Sequence, residues 1–193
     1  MKSGSKSTPV RVRKNFNLDE FRNAHASNEC GGKFVLQIVA PGDFTGSALG
    51  VVRVPWIPYV ACQKCKASYL APGFQEFIEA VIARALVFGS GMLTKPQLKF
   101  LRQHFDHTQE DFAKLAEISD RHEMSKFESE HFTTKTLSKE SQVLLRLKLA
   151  RLLGEKDSEH LIALADITAE PISTENLDLP TAEEIKRTFM GAA

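Results

Sequence analysis

Polar residues near the middle of the chain have the types and the helical spacing needed to read the edges of DNA bases. These residues are Arg121, His122, Ser125 and Lys126, and they lie on the outward side of a predicted helix. Arginine and lysine donate to guanine O6 and N7 or to phosphate oxygens, and serine or histidine can donate to either. Thr108 and Gln109 begin the preceding predicted helix, where free N–H groups and the Gln109 side chain could bind a backbone phosphate. These residues predict recognition of double-stranded DNA.

Caps and apolar periodicity mark the helices that must position these residues. Thr94 and Thr108 are predicted N-caps of two successive helices, the second of them over residues 109–117. After a turn at residues 118–120, a further helix is predicted over residues 121–129. Two helices joined by a short turn, with polar residues on the outer side of the second, are typical of a helix-turn-helix. The alternative is an ordinary pair of solvated amphipathic helices.

A resemblance to a known family is carried by LTKPQLKFLRQHFDHTQEDFAKLAEISDRHEMSKFESE, followed by LLRLKLARLL. These segments resemble the Xre or Cro-repressor type of helix-turn-helix, in particular the carboxy-terminal domain of the MqsA/YgiT antitoxins. The resemblance covers roughly residues 50–153, because VVRVPWIPYVACQKCKASYL is similar to a strand and the second Cys-x-x-Cys of that family's zinc domain. It implies that His122 and Lys126 occupy the positions of an Asn and an Arg that read bases. Since neither is identical, we expect a different operator.

The resemblance also implies a zinc site, and here the chain departs from the family. The family's structural site uses two Cys-x-x-Cys knuckles, because tetrahedral thiolate coordination needs four ligands. Cys62 and Cys65 form one intact knuckle, whereas Ser27 replaces a cysteine of the other and leaves only Cys30. His25 is near enough in sequence to be a fourth ligand, so a Cys3His zinc site is one expectation. The other is a degenerate knuckle that folds without metal.

Length, charge and cysteine content limit the class of protein. With 193 residues, the chain has room for two small domains with tails. Its net charge of +1 excludes a histone-like polycation. Three cysteines and no apolar signal segment favour a reducing cytoplasm. The family resemblance implies a bacterial protein, associated with the nucleoid when bound to its operator. No stretch of the sequence predicts a membrane span.

The sequence predicts an α+β fold in five parts. Residues 1–15 form a basic arm expected to be disordered, and residues 16–71 form a small, β-rich, degenerate zinc-ribbon-like domain. A linker helix with a Gly-Ser-Gly hinge covers residues 72–91, a five-helix Xre-type domain covers residues 92–154, and an acidic tail covers residues 155–193. In the β-rich domain, three strands are predicted, over residues 33–40, 49–54 and 57–62.

Apolar residues cover more than one side of the last strong helix, which Ser138 is predicted to cap. One helix cannot bury two apolar faces in a single small core. The surplus therefore predicts a homodimer seam, which repressors of this type need for two half-sites one helical turn apart. The seam is predicted at Leu145, Leu149 and Leu152.

These patterns favour a sequence-specific transcriptional repressor, and the family resemblance implies the antitoxin of a type II toxin-antitoxin pair. Its expected partners are double-stranded operator DNA, a second copy of the chain and a toxin protein. The alternative is a protein-interaction module whose N-terminal domain masks a partner, with DNA binding secondary. No grouping of His, Cys, Ser and acidic residues has the spacing of a nucleophile or a metal hydrolase, so no enzymatic activity is predicted.

Overall fold

The computed structural model describes residues 30–32, 34–39, 41–47, 49–71, 73–118, 121–129 and 136–154, and ten residues of the tail between 168 and 184. The predicted arm at residues 1–15, His25 and the rest of the tail lie outside these residues. Within them, the fold is mixed α+β, with five helices and two small sheets. The coarse fold class predicted from the sequence is therefore confirmed.

The chain falls into two compact units. One comprises the described residues of Met1–Gly42, Pro55–Val81 and Pro180–Ala193. The other comprises those of Asp43–Val54 and Ile82–Leu179. The segment Asp43–Val54 therefore groups with the helices, whereas the sequence analysis placed it in the cysteine-bearing domain.

Five strands build the two sheets. In chain order, they are β1 (Phe34–Val39), β2 (Gly42–Ser47), β3 (Gly50–Val54), β4 (Ile57–Cys62) and β5 (Ser68–Leu70). β1, β4 and β5 form an antiparallel sheet with β4 in the middle, in which Phe34 is opposite Cys62 and Val39 is opposite Ile57. All side chains of β4 except that of Tyr59 are buried, so both faces of this central strand are covered, which fits its almost continuous apolar sequence. β2 and β3 form a separate hairpin.

Two strands, β2 and β5, were not predicted from the sequence. β2 is rich in glycine and polar residues, which disfavour strands, and it forms through pairing with β3. In β3, Val52 and Val54 are buried and Val51 and Arg53 are exposed, as expected of a strand with one buried face. β5 has only three residues, all exposed, and pairs with the centre of β4. Both segments thus form strands because they pair with a neighbouring strand, and their own sequences do not predict it.

Five helices are described, one in the predicted linker and four within residues 92–154, where the sequence predicts a five-helix domain. They are α1 (Phe74–Phe88), α2 (Lys95–His104), α3 (Gln109–Leu115), α4 (Arg121–Glu128) and α5 (Lys139–Leu152). Thr94, Thr108 and Ser138 are the N-cap residues of α2, α3 and α5, as their spacing predicted. None of the helices in the described ranges has both the length and the apolar character needed to cross a membrane.

Helices α2, α3, α4 and α5 pack around a shared apolar centre. α2 contacts α4, and α3 contacts both α4 and α5. The side chains at this centre are almost completely buried and include Leu98, Leu101, Phe112 and Met124. The packing fixes the direction in which α4 presents its outer residues.

Two of the three residues predicted for the dimer seam lie inside this core. Leu145 and Leu149 are 0% exposed in the single chain, because the side of α5 that carries them packs on its own unit. A side chain enclosed in this way has no surface left for a second copy, so their assignment to the seam is wrong. Leu152 is 57% exposed and remains on the surface.

The segment before α2, predicted as a hinge, is held by side chains from α5. The guanidinium of Arg146 is 0% exposed and donates to the carbonyl oxygens of Gly89 and Gly91. The amide of Gln142 accepts a 2.7 Å hydrogen bond from the N–H of Leu93. Since the carbonyls after Phe88 carry the negative end of the α1 dipole, the buried Arg146 acts as a cationic cap for that helix.

A short extended part of the tail, residues 170–172, pairs with the backbone of the same segment. The N–H of Met92 donates to Glu170 O at 2.6 Å, and the N–H of Ile172 donates to Met92 O at 3.0 Å. A Cβ atom at Gly91 would lie 2.5 Å from Glu170 O, so glycine is needed for this close approach. The start of α2 is therefore fixed by backbone pairing as well as by α5.

Candidate nucleic-acid interface and metal centre

A tight connection leads from α3 towards α4. Glu117 has a φ of 55°, in the left-handed region, and it reverses the chain just after α3. The N–H of Ile118 then donates to Ala113 O at 2.9 Å. Ala113 is 2% exposed, and its small side chain allows the neighbouring helix to approach closely. The last two residues of the predicted turn, 119 and 120, lie outside the described part of the chain.

The outer side of α4 carries the residues that the sequence singled out for DNA contact. Arg121, His122 and Ser125 are exposed, whereas Met124 on the opposite side is 0% exposed. Lys126 is half-buried, and its Nζ lies 3.9 Å from the Oε1 of Glu123, a weak ion pair. The first three residues thus form a continuous solvent-facing edge, and Lys126 lies at its margin.

A buried carboxylate at the end of α4 connects three helices. Glu128 accepts hydrogen bonds from Arg102 of α2 through both oxygens, at 2.6 Å from Nε and 3.0 Å from Nη2. Gln109, the first residue of α3, donates its Nε2 to the same carboxylate at 3.1 Å. The side chain of Glu128 is 4% exposed and that of Arg102 15%. We call Arg102, Gln109 and Glu128 the polar clamp.

The polar clamp was not predicted from the sequence, although one residue of it gives a signal. Glu128 follows the buried Met124 by four residues, which puts both side chains on the inward face of α4. An acidic residue on the inward face of a helix needs a buried partner, because an unpaired charge there is costly. Only the tertiary arrangement identifies that partner as Arg102, twenty-six residues earlier.

Thr108 and Gln109, which the sequence predicts to contact a DNA phosphate, make internal hydrogen bonds in the structure. Thr108 Oγ1 accepts from the N–H of Asp111 at 3.1 Å and donates to its carboxylate at 2.7 Å. This hydroxyl, together with the nearby Lys114 and His107, lowers the pKa of Asp111. The Gln109 amide is engaged by Glu128. These two side chains therefore cap and anchor α3, and the acidic groups that follow them disfavour a phosphate at this end.

The three cysteines of the chain come together at one end of the β1-β4-β5 sheet. The Sγ atoms of Cys30, Cys62 and Cys65 all lie within 4.8 Å of one another, and those of Cys30 and Cys62 are 3.6 Å apart. We call these residues the thiol cluster. Cys62 ends β4, and Cys65 lies in the turn that leads to β5.

Backbone geometry shapes the turn around Cys62 and Cys65. The N–H of Cys62 donates to Ala67 O at 2.8 Å, and the N–H of Lys66 donates back to Cys62 O at 3.1 Å. Lys66 has a φ of 64°, which turns the chain tightly enough for the two sulfurs of the Cys-x-x-Cys to face each other. Gly32 lies against the sulfurs, because a Cβ atom there would overlap Cys62 Sγ and come within 3.3 Å of Cys30 Sγ.

Backbone N–H groups act on the acidity of these thiols. The N–H of Cys65, and then that of Lys64, lower the pKa of Cys62 to about 6 against the opposing effect of burial. The N–H of Ala67 favours the thiolate of Cys65, but burial and the neighbouring sulfurs of Cys30 and Cys62 outweigh it and raise the pKa of Cys65. Of the two knuckle thiols, Cys62 is thus the one that ionises more readily, as a metal ligand must.

The donor set of the thiol cluster fits a soft or borderline cation. Three thiolates are ligands typical of zinc and of other thiophilic metals. Within the described residues, no further His, Cys, Asp or Glu joins the group. His25, the fourth ligand expected from the sequence, lies outside them.

Comparison with known proteins gives no relative on which to base an assignment. No protein-family model, no curated protein and no solved structure matches this chain. The resemblance to the MqsA/YgiT antitoxins therefore remains an expectation from the sequence motifs.

Proposed function

We propose that this chain is a sequence-specific DNA-binding repressor, not an enzyme, and that α3 and α4 form its helix-turn-helix. The observation that carries the proposal is the outer edge of α4. Arg121, His122 and Ser125 are exposed there side by side, and each can donate a hydrogen bond to a base edge or a phosphate. An edge of this length matches the three or four side chains with which a recognition helix reads a major groove.

The polar clamp supports this proposal because it holds α4 in position. A recognition helix must keep its side chains in register with the base pairs, so its rotation about its own axis has to be fixed. Glu128 is bound from α2 and from α3 at the same time, which fixes the carboxyl end of α4 against both helices. Met124 fixes the middle of the helix through apolar burial.

We further propose that the repressor binds its operator as a homodimer and serves as the antitoxin of a type II toxin-antitoxin pair. Leu152 is the residue of the predicted seam that is exposed, and a partner could bury it. The toxin would bind the cysteine-bearing unit, where Val35, Tyr69 and Leu70 are each 38–40% exposed on the sheet. In the alternative function, masking of such a protein partner is the main role and DNA binding is secondary.

Zinc is the cation that we propose for the thiol cluster. It binds thiolates at about 2.3 Å and usually joins segments that are distant in sequence. Here it would connect Cys30 to the turn that carries Cys62 and Cys65, thirty-two or more residues later. Its role in that position is to stabilise the end of the sheet.

The DNA-binding proposal is tested by titrating the full-length protein against its own upstream DNA in fluorescence anisotropy. We expect Arg121→Ala and His122→Ala each to weaken specific binding by about 1–3 kcal/mol, because each removes a base or phosphate contact. Lys126→Ala should weaken binding less, since its ammonium is already near Glu123. Arg53→Ala, which removes an exposed cation from β3, is the matched control and should bind like wild type.

Circular dichroism should give the same unfolding midpoint for all four variants, because the substituted side chains lie at the surface. Unchanged DNA affinity in both Arg121→Ala and His122→Ala would refute the assignment of α4. Loss of affinity in Arg53→Ala to the same extent would indicate a general effect of charge. Copurification of a small basic protein from cells that express the neighbouring genes separates the antitoxin proposal from that of a repressor without a toxin.

A further inference from the structure

The thiol cluster is closed on one side and exposed on the other. Cys62 is 1% exposed, Cys30 is half-buried, and Cys65 is exposed. Gly32 closes the inner side, because its backbone leaves no room for even a Cβ atom beside the sulfurs of Cys62 and Cys30. A cation held by the three sulfurs would therefore have its free side next to Cys65.

Two lysines, Lys64 and Lys66, flank the exposed Cys65 in the chain. Lys64 lies in the turn between the two knuckle cysteines, and its Nζ donates to Cys30 O at 2.7 Å. Lys66, directly after Cys65, is also exposed. Three thiolates and a divalent cation carry one net negative charge, which these ammonium groups offset. They also favour the approach of an anionic molecule over a cationic one.

Zinc sites with four protein ligands are structural, whereas sites with three protein ligands leave a position for an external ligand. We propose that Cys30, Cys62 and Cys65 hold a thiophilic divalent cation with no fourth ligand from the described part of the chain, and that the exposed side accepts a small anionic thiol from solution. The incoming thiol binds as the thiolate and its proton passes to solvent, so nothing is oxidised or reduced. This inference deepens the metal site of the proposed function and does not depend on DNA binding.

The test uses the full-length protein, freed of metal and titrated anaerobically with Co²⁺, whose visible spectrum reports its ligands. We expect one Co²⁺ per chain in wild type. Cys30→Ser, Cys62→Ser and Cys65→Ser should each weaken binding at least as much as the loss of an outer-shell partner, about 10–100-fold. Gln63→Ser is the matched control, because this exposed residue lies between the knuckle cysteines. Both Gln63→Ser and His25→Ala should bind like wild type.

The open side is tested by adding glutathione to the Co²⁺-loaded protein. We expect the thiolate-to-cobalt band to increase and the visible bands to shift, whereas S-methylglutathione, which has no free thiol, should change nothing. A tenfold or larger loss of affinity in His25→Ala, or a spectrum unaffected by glutathione, would show a closed four-ligand site and overturn the inference. Absence of stoichiometric Co²⁺ binding would overturn it as well. Gel-shift assays of the same samples report the repressor proposal separately.

Discussion

Removing the carboxylate of the polar clamp should strongly destabilise the helical unit. In Glu128→Ala, the guanidinium of Arg102 loses two charge-assisted hydrogen bonds, at 2.6 and 3.0 Å, and keeps only the 3.2 Å bond to His107 O. With 85% of the Arg102 side chain withdrawn from solvent, water does not replace the lost partner. The Gln109 amide loses its acceptor too.

The expected loss follows from the burial of the pair. Removal of one partner from a buried ion pair costs about 3–5 kcal/mol, since the remaining charge is left uncompensated. That is a large part of the roughly 5–15 kcal/mol by which a domain is stable. For a chain of this size it corresponds to a fall of about 6–20 °C in Tm. In contrast, Lys114→Ala breaks an exposed ion pair with Glu110 and should change the stability only slightly, because solvent screens that pair.

Urea unfolding followed by circular dichroism measures both losses. The double variant Arg102→Met/Glu128→Leu removes both charges and replaces them with apolar side chains of similar length. We expect it to be within about 2 kcal/mol of wild type, because an apolar replacement of a buried ion pair is often neutral or stabilising. The reasoning would be refuted if Glu128→Ala were no less stable than Lys114→Ala, or if the double variant lost as much stability as Arg102→Met and Glu128→Leu together lose when measured singly.

Two further predictions concern the connection after α3 and the surface of α5. Glu117 has a φ of 55°, which asparagine tolerates and a β-branched residue does not. The free energy of unfolding in urea should therefore be about 1–2 kcal/mol higher for Glu117→Asn than for Glu117→Val. Equal stability of the two variants would contradict the role of the turn. Leu149→Glu puts a charge into the core and should unfold the helical unit, whereas Leu152→Glu should keep its stability within about 0.5 kcal/mol and dissociate the proposed dimer in light scattering. A wild-type chain that is already monomeric would exclude the seam at Leu152.

Local features of the helical unit could be predicted from the sequence because they depend on near neighbours. An N-cap needs an acceptor for an N–H group two or three residues ahead, so Thr108 and Ser138 identify the starts of α3 and α5 by themselves. The inward face of α4 follows from helical spacing. The Cys-x-x-Cys spacing likewise predicts that Cys62 and Cys65 share one turn, since four residues suffice to form it.

Pro58 shows where a sequence pattern fails to predict the place of a strand in the sheet. A proline within a strand usually indicates an edge, yet Pro58 lies in the central strand β4. The strand accommodates it because β5 pairs only with Tyr59, Val60 and Ala61, so the missing N–H of Pro58 does not interrupt that ladder. The order of strands in the sheet depends on which strands pair, and the local sequence does not specify that pairing.

The sequence by itself determined which residue types are present for the proposed DNA contact and the proposed metal site, and which predicted helix carries the former. Only the tertiary structure decided which of them are accessible. It brings Cys30 to the knuckle across thirty-two residues, and it binds Gln109 to Glu128. It also buries Leu149 while it exposes Leu152 on the same helix. Periodicity identifies a face of a helix, but burial depends on what packs against that face, and those contacts are made by residues distant in the chain.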